Sequence, residues 1–387
     1  MRLYNKHLIQ LYKLVIVIAM LYVPCFGINA FLNVIQIKNP SPGNIFISDA
    51  IVDNAIVNNY GRAIDSIPLS KIKPGLDFRI QANGAMTFAD TRNNKFYKLN
   101  SQYKIVDSFQ VANNLETDFH EFLINPDGSY YMIANKYIIV DLSEKVQNGK
   151  KDAKVIEQII QKFNANKELV WSFSLYDNFS VLDATNEIDL TQQVVDPYHL
   201  NSIDDDQNGN IYISLRSFTQ IIKINVPTST VVWRLGGSKS KNNQFTFLND
   251  EIEGFTGNSN THDVKILPNG NLLFVDNGNV RPDPFTRVVE YKINESAKTV
   301  EKVWEFIPSP RIFASIMGSV QRLENGNNFI SLGNDLFEVN KNGEVVFKAV
   351  KLYGSTNYRT YKLSLIHISE PTRLRRISYA TFCLKKK

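Results

Sequence analysis

The amino-acid sequence predicts an all-β protein built as a six-bladed β-propeller. Three observations carry that expectation. Short strand-like runs separated by turn signals fill nearly the whole chain. One hairpin unit recurs with a near-constant spacing. A strand bearing tryptophan or phenylalanine closes most of the units.

The strand-like runs include FYKLN, SYYMIA, YIIVDL, NIYISL, IIKINV, NLLFVD, RVVEYKI, NFISLG, LFEVN and EVVFKAV. They alternate apolar with polar residues or are apolar throughout, as strands buried on one or both faces require. Turn signals punctuate them: PDG at 126–128, QNG at 207–209, PNG at 268–270, ENG at 324–326 and KNG at 341–343. Each supplies a glycine for a tight turn. No long amphipathic helix is legible. KVIEQIIQKFN (154–164) fits a helix or a hairpin strand about equally.

The repeats decide the architecture. HEFLINPDG (120–128), HDVKILPNG (262–270) and GSVQRLENG (318–326) each place the turn glycine eight residues after the first position. HLNSIDDDQNG (199–209) is the same unit with two extra residues. Closing strands follow in LVWSFSL at Trp171, VVWRLGG at Trp233 and KVWEFIP at Trp304, with Phe347 of EVVFKAV in the same place. Residues 93–111 supply an earlier unit and residues 45–67 a first one, about six in all. A small antiparallel sheet repeated in this way is a propeller blade.

The two ends read differently. Arg2, Lys6 and Lys13, then LVIVIAMLYVP (14–24), then Gly27 and Ala30 form the pattern of a signal peptide over residues 1–30. This predicts a secreted or periplasmic protein; an uncleaved membrane anchor is the alternative. SLIHISEPTRLRRISYATFCLKKK (364–387) has neither strand periodicity nor turn chemistry and resembles translated vector sequence. It is read as a non-native read-through tail, which leaves 31–363 as the domain. The net charge of +5 comes from these ends. The leader to Gly27 carries +3 and the tail +5, so Ile28 to Leu363 carries −3. A mildly acidic domain argues against a nucleic-acid partner or an anionic membrane surface. Both cysteines, Cys25 and Cys383, lie in the ends, so the domain has neither a disulfide nor a catalytic thiol.

Between those ends the chain holds three histidines, His120, His199 and His262. Each opens an inner hairpin of a different unit. The innermost strands of a propeller line its central channel, so residues at one repeat position form a ring. The common phase predicts convergence at one mouth of the channel. Two chemistries fit. Three imidazoles can hold zinc with an open position. Glu121, Asp196 and Asp263 lie close in sequence, although Glu121 and Asp263 directly follow their histidines and would point the other way on a regular strand. Alternatively, Arg216 in ISLRSFTQII adds a fixed cation and a planar donor fork. Histidines with an arginine suit sulfuryl or phosphoryl transfer, where an imidazole serves as nucleophile.

DPYHLNSIDDDQNGNIYISLRSFTQIIKIN (196–225), VVWRLGG (231–237) and THDVKILPNGNLLFVDNGN (261–279) resemble the arylsulfotransferase family. These are aryl-sulfate sulfotransferases that use no 3′-phosphoadenylyl sulfate. HEFLINPDG, the run TRVVEYKI and the closing NYRTYK fit as well. The resemblance spans about Asp118 to Lys362 and implies a six-bladed propeller. It also implies ping-pong transfer of a sulfuryl group from an aryl sulfate donor to a phenol acceptor through a sulfohistidine. His262 is then the nucleophile. His199, Asn201 and Arg216 hold the sulfuryl and phenolic oxygens, and His120 completes the pocket and trades a proton with the phenol. No cofactor, metal or nucleotide is implied, and GGSKSKN (236–242) lacks the spacing of a phosphate loop. Better-known bacterial members carry a larger N-terminal β-domain and a cysteine pair; the sequence shows neither, which removes the basis for inferring their dimer. Two other functions compete: a ligand-binding propeller without turnover, and a metal-dependent propeller hydrolase.

Overall fold

The computed structural model describes residues 31–48, 54–67, 75–352 and 358–363. The signal peptide (1–30) and the read-through tail (364–387) expected from sequence lie outside the described residues. Six antiparallel sheets are arranged as the blades of a propeller. Blade 2 runs Gly75–Ile80, Met86–Asp90, Lys95–Leu99 and Ile105–Phe109, from the innermost strand outward. Blade 3 runs Glu116–Ile124, Tyr130–Val140, Ala153–Phe163 and Leu169–Ser174. Blade 4 is Leu200–Asp205, Asn210–Leu215, Gln220–Asn225 and Thr230–Gly236. Blade 5 is Thr261–Ile266, Leu272–Asp276, Arg287–Asn294 and Thr299–Phe306. The segment that fitted helix or strand is the third strand of blade 3, with inward positions such as Val155 and Ile160 fully buried.

The two chain ends close the ring. Blade 6 consists of Ser319–Arg322, Asn328–Leu332, Asp335–Val339 and Val345–Lys351, and Leu32–Ile37 adds a fifth strand outside it. Blade 1 has Asn44–Ile47, Asn54–Val57 and Ala63–Ile67, and takes its innermost strand, Thr360–Leu363, from the other end. Phe46 pairs with Tyr361 and Ile45 with Lys362 across that seam. Tyr358 to Lys362 of NYRTYK thus belong to the closing strand and its lead-in.

Packing explains the sequence pattern. Second strands such as Leu272–Asp276 and Asn328–Leu332 are buried at every position, because a neighbouring blade covers each face. Six apolar clusters fill the blade interfaces, one for each adjacent pair. Trp233, 1% exposed, crosses from the outer strand of blade 4 to Val264, Phe274 and Val289 of blade 5. Phe347 plays the same part between blades 6 and 1. Trp171 packs at the edge of the blade 3–4 cluster and donates Nε1–H to Ser229 Oγ at 2.8 Å. Truncating Trp233 to alanine would cost about 3–5 kcal/mol through lost contacts and the cavity left behind.

Each inner strand runs away from one face, so that face carries the connections into each blade and the loops after each second strand. A bulge interrupts the start of the inner strand in blades 2, 3, 4 and 5. Asp77 (φ 54°), His199 (φ 49°) and Asp263 (φ 50°) adopt the left-handed conformation there, a strained geometry for residues other than glycine. The bulge breaks the alternation of side chains, so consecutive residues both reach the central axis.

Candidate active site

A cavity of about 520 Å³ opens at the mouth on that face. His120, His199, His262 and Arg216 all line it, together with Tyr358, Met317, Ile316 and Phe119. The three histidines come from blades 3, 4 and 5 and meet here, as their common repeat position predicts, and Arg216 joins them from blade 4.

His262 is the most buried of the three histidines, 4% exposed. Its Nδ1 lies 2.7 Å from Asn277 Oδ1. Asn277 Nδ2 donates to the carbonyls of Ala314 and Met317 at 2.7 and 2.9 Å. Those acceptors fix the amide orientation, so Nδ1 carries the proton and Nε2 the lone pair. Burial and the positive charge of Arg216 push the pKa of His262 well below the ordinary value; the Asn277 hydrogen bond opposes this. The imidazole is therefore neutral at physiological pH. The backbone N–H of Met317 lies 3.3 Å from Nε2.

His120 has the opposite environment. Its Nδ1 is 2.7 Å from Asp118 Oδ1, which also accepts the His120 backbone N–H at 2.8 Å. Asn135 Nδ2 donates to Asp118 Oδ2 at 3.0 Å. Burial disfavours the His120 cation, but the Asp118 carboxylate outweighs it and raises the pKa. Burial likewise opposes the Asp118 charge, and His120 keeps that carboxyl below its ordinary value. His199 pairs through Nδ1 with Asp196 Oδ2 at 2.6 Å. Its ring meets that of His120 edge-on, centroids 4.9 Å apart.

Arg216 lies just past the second strand of blade 4, in a short 3-10 turn, Arg216–Phe218. Its backbone N–H donates to His199 O at 3.1 Å, which ties the turn to the histidine. The guanidinium contacts Ser315 O at 3.3 Å and Glu187 Oε1 at 3.4 Å, while Nε is buried without a protein partner. Asn201 is placed differently. It is fully buried, its Nδ2 donates to Thr261 O at 2.8 Å, and it is not among the residues lining the cavity.

The carboxylates flanking the histidines in sequence divide in two. Asp196 does contact its histidine. Glu121 and Asp263 turn down the channel instead, where Arg359 lies 2.9 Å from Glu121 and 3.4 Å from Asp263. Arg79 bridges Glu121 at 2.6 Å and Asp77 at 3.1 Å, and Lys265 pairs with Asp263 at 2.9 Å. Burial opposes ionisation of Glu121, yet Arg359 and Arg79 hold its pKa down to about 2. This network occupies the channel below the histidines. Tyr358 joins the two layers: its hydroxyl donates to His120 O at 2.7 Å and Asn201 O at 3.2 Å.

Sequence reasoning passed over Asp118, Asn277, Glu187 and Tyr358. Asp118 had a local signal, standing two residues before His120. The others reach the site only through the fold. Among the described residues, no three His, Cys, Asp or Glu side chains are grouped so as to hold a metal ion, and no helix is long and apolar enough to cross a membrane.

Comparison with known proteins places these features. Among solved structures, the chain resembles a protein of unknown function from Bacteroides caccae at 13% identity and TM-score 0.51, covering 84% of this chain and 99% of that one. A virginiamycin B lyase from Staphylococcus aureus aligns at 11% identity and TM-score 0.43, covering 83% and 89%. At such identities these likenesses concern the fold alone. No curated protein matches the chain. The family model described as arylsulfotransferase (ASST) matches residues 50–364, which include the whole of blades 2 to 5 and all the histidines of the cavity. The chain therefore belongs to the arylsulfotransferase family.

Proposed function

We propose that the chain moves a sulfuryl group from an aryl sulfate to a phenol in two displacements, with His262 Nε2 as the carrier atom. The observation that carries this reading is the partner of His262. An amide holds its Nδ1–H, whereas carboxylates hold Nδ1 of His120 and His199. A carboxylate would favour the imidazolium and remove the lone pair from Nε2. The amide fixes the tautomer without adding charge, which suits a nucleophile.

In the first half-reaction the Nε2 lone pair forms the N–S bond as the S–O bond to the aryl group breaks. The departing phenolate oxygen takes a proton from His120, whose cation Asp118 stabilises. The ring then carries sulfuryl on Nε2 and a proton on Nδ1, a cationic leaving group for the return step. In the second half-reaction an acceptor phenol gives its proton to His120, its oxygen attacks sulfur, and the N–S bond breaks. Arg216 and His199 bind the sulfuryl oxygens and stabilise the charge that builds on them. Asn201, below the cavity floor, supports that floor. The Met317 N–H gives way when the donor binds, since it occupies the same lone pair. Neither nucleotide nor metal takes part, and the leader predicted from sequence directs the protein to a secreted or periplasmic location.

Release of 4-nitrophenol from 4-nitrophenyl sulfate by the purified chain tests the reading, with chelator present and nucleotide absent. Release that depends on added phenol, and is lost in His262→Asn, is the expected result. Release without phenol points to a sulfatase. No release from folded protein favours the ligand-binding propeller.

A further inference from the structure

Glu187, on the connection between blades 3 and 4, meets the Arg216 guanidinium from behind the residues that line the cavity, and the reaction scheme gives it no task. Its carboxylate is fully engaged. Oε1 lies 3.4 Å from Arg216 Nη2 and 3.1 Å from Asn279 Nδ2, and Oε2 accepts from Asn260 Nδ2. Asn260 is fully buried and also donates to the Arg216 carbonyl at 3.3 Å, while Asn279 donates to Ser315 O at 3.0 Å. The same Ser315 carbonyl faces the Arg216 guanidinium. Three connections therefore meet on one carboxylate and aim it at the cavity's arginine. Asp118 and Asp196 are engaged with histidines, and Glu116, which also lines the cavity, is exposed to solvent at the start of its strand.

That arrangement has a consequence for the charge a ligand carries. Arg216 offers one positive charge, and Glu187 offsets part of it. An aryl sulfate is a monoanion, whereas an aryl phosphate of the same shape is a dianion above about pH 7. A second negative charge would meet Glu187 across the guanidinium, and the two histidines beside it are already paired with Asp118 and Asp196. Rejecting a near-isosteric competitor requires such a repulsive element, because shape alone discriminates weakly.

We propose that Glu187 is a specificity-determining residue that matches the cavity to monoanionic esters, so that aryl sulfates bind and aryl phosphates are turned away. The choice of ligands rests on the sulfuryl-transfer reading; the charge argument concerns binding and is measured apart from turnover.

The test is calorimetric binding of 4-nitrophenyl sulfate and 4-nitrophenyl phosphate at about pH 8, where the phosphate is a dianion. Full-length His262→Asn protein avoids turnover and is compared with His262→Asn/Glu187→Gln. The first protein should bind the sulfate at least about tenfold more tightly, and Glu187→Gln should narrow the gap to about threefold or less. A merely structural role would weaken both ligands alike and leave their ratio unchanged, which would overturn the proposal. If Glu187→Gln does not fold, Glu187→Asp withdraws the carboxylate from Arg216, and an unchanged ratio there overturns it equally. Phosphate binding as tightly as sulfate to the His262→Asn protein also sinks it. Failure of phenol-dependent turnover in the unmodified chain, with the ratio behaving as expected, removes the transfer reading and leaves the charge match standing.

Discussion

His262 Nδ1 and Asn277 Oδ1 lie 2.7 Å apart, and the far side of the same amide donates to two carbonyls. The amide cannot flip without losing both of those bonds, so the lone pair of His262 is confined to Nε2. Asn277→Asp replaces the amide with an anion, raises the pKa of His262 and protonates it. The first half-reaction should slow about 10²-fold or more near neutral pH and recover as pH rises. Stopped-flow release of 4-nitrophenol across a pH series measures it. A variant as fast as the parent at neutral pH would contradict the assignment of the nucleophile.

Under the proposed transfer, Asp118 sets the alkaline limit. It raises the pKa of His120, so the acid form persists above the ordinary imidazole range. Asp118→Asn should move the alkaline limb of kcat/KM to lower pH, with about a tenfold loss of rate on that side. The same scheme assigns the acid limb to protonation of His262, and that limb should stay in place. A pH–rate profile of the two proteins separates the limbs.

Arg216→Ala removes the cavity's guanidinium. Its expected cost is about 10²–10³-fold in kcat/KM for aryl sulfate. Arg216→Lys restores the charge but not the planar fork, and should recover only part of the loss. Steady-state kinetics with a fixed phenol acceptor gives the comparison.

Burying His262 also leaves a signature in stability. The unfolded chain protonates this group near its ordinary pKa, while the folded chain resists protonation until much lower pH. The unfolded state therefore binds more protons over that window, and stability falls as pH drops below about 6.5. His120 contributes with the opposite sign: its raised pKa stabilises the fold at low pH and that contribution fades as pH rises. Urea titrations at several pH values should show a flatter acid side in His262→Asn than in the unmodified protein.

Arg359 neutralises the channel from the closing strand. Arg359→Met leaves Glu121 and Asp263 buried beside a missing cation, and should cost about 3–5 kcal/mol. The same change frees the Asn201 carbonyl that Arg359 holds at 2.8 Å. Thermal unfolding measures the loss.

The repeat spacing and the turn glycines determined the all-β class and the six blades without any coordinates. Both arise from local rules: two-residue alternation within strands and fixed backbone needs at turns. The common phase of His120, His199 and His262 likewise predicted one ring, because a repeat position maps onto one height in the channel. Arg216 joined them because it stands at the end of the same hairpin. What sequence could not decide was which neighbours those side chains meet. Regular alternation would send Glu121 and Asp263 to the opposite face from their histidines; bulges at the tops of the inner strands bring both residues of each pair to the axis and leave the carboxylates to Arg359. Asn277 reaches His262 across a hairpin, Glu187 reaches Arg216 from an irregular connection, and Tyr358 arrives with the last strand to join the ring. Such contacts depend on how six sheets close around one axis, which is why only the tertiary structure distinguishes the histidine whose pKa is lowered from the one whose pKa is raised.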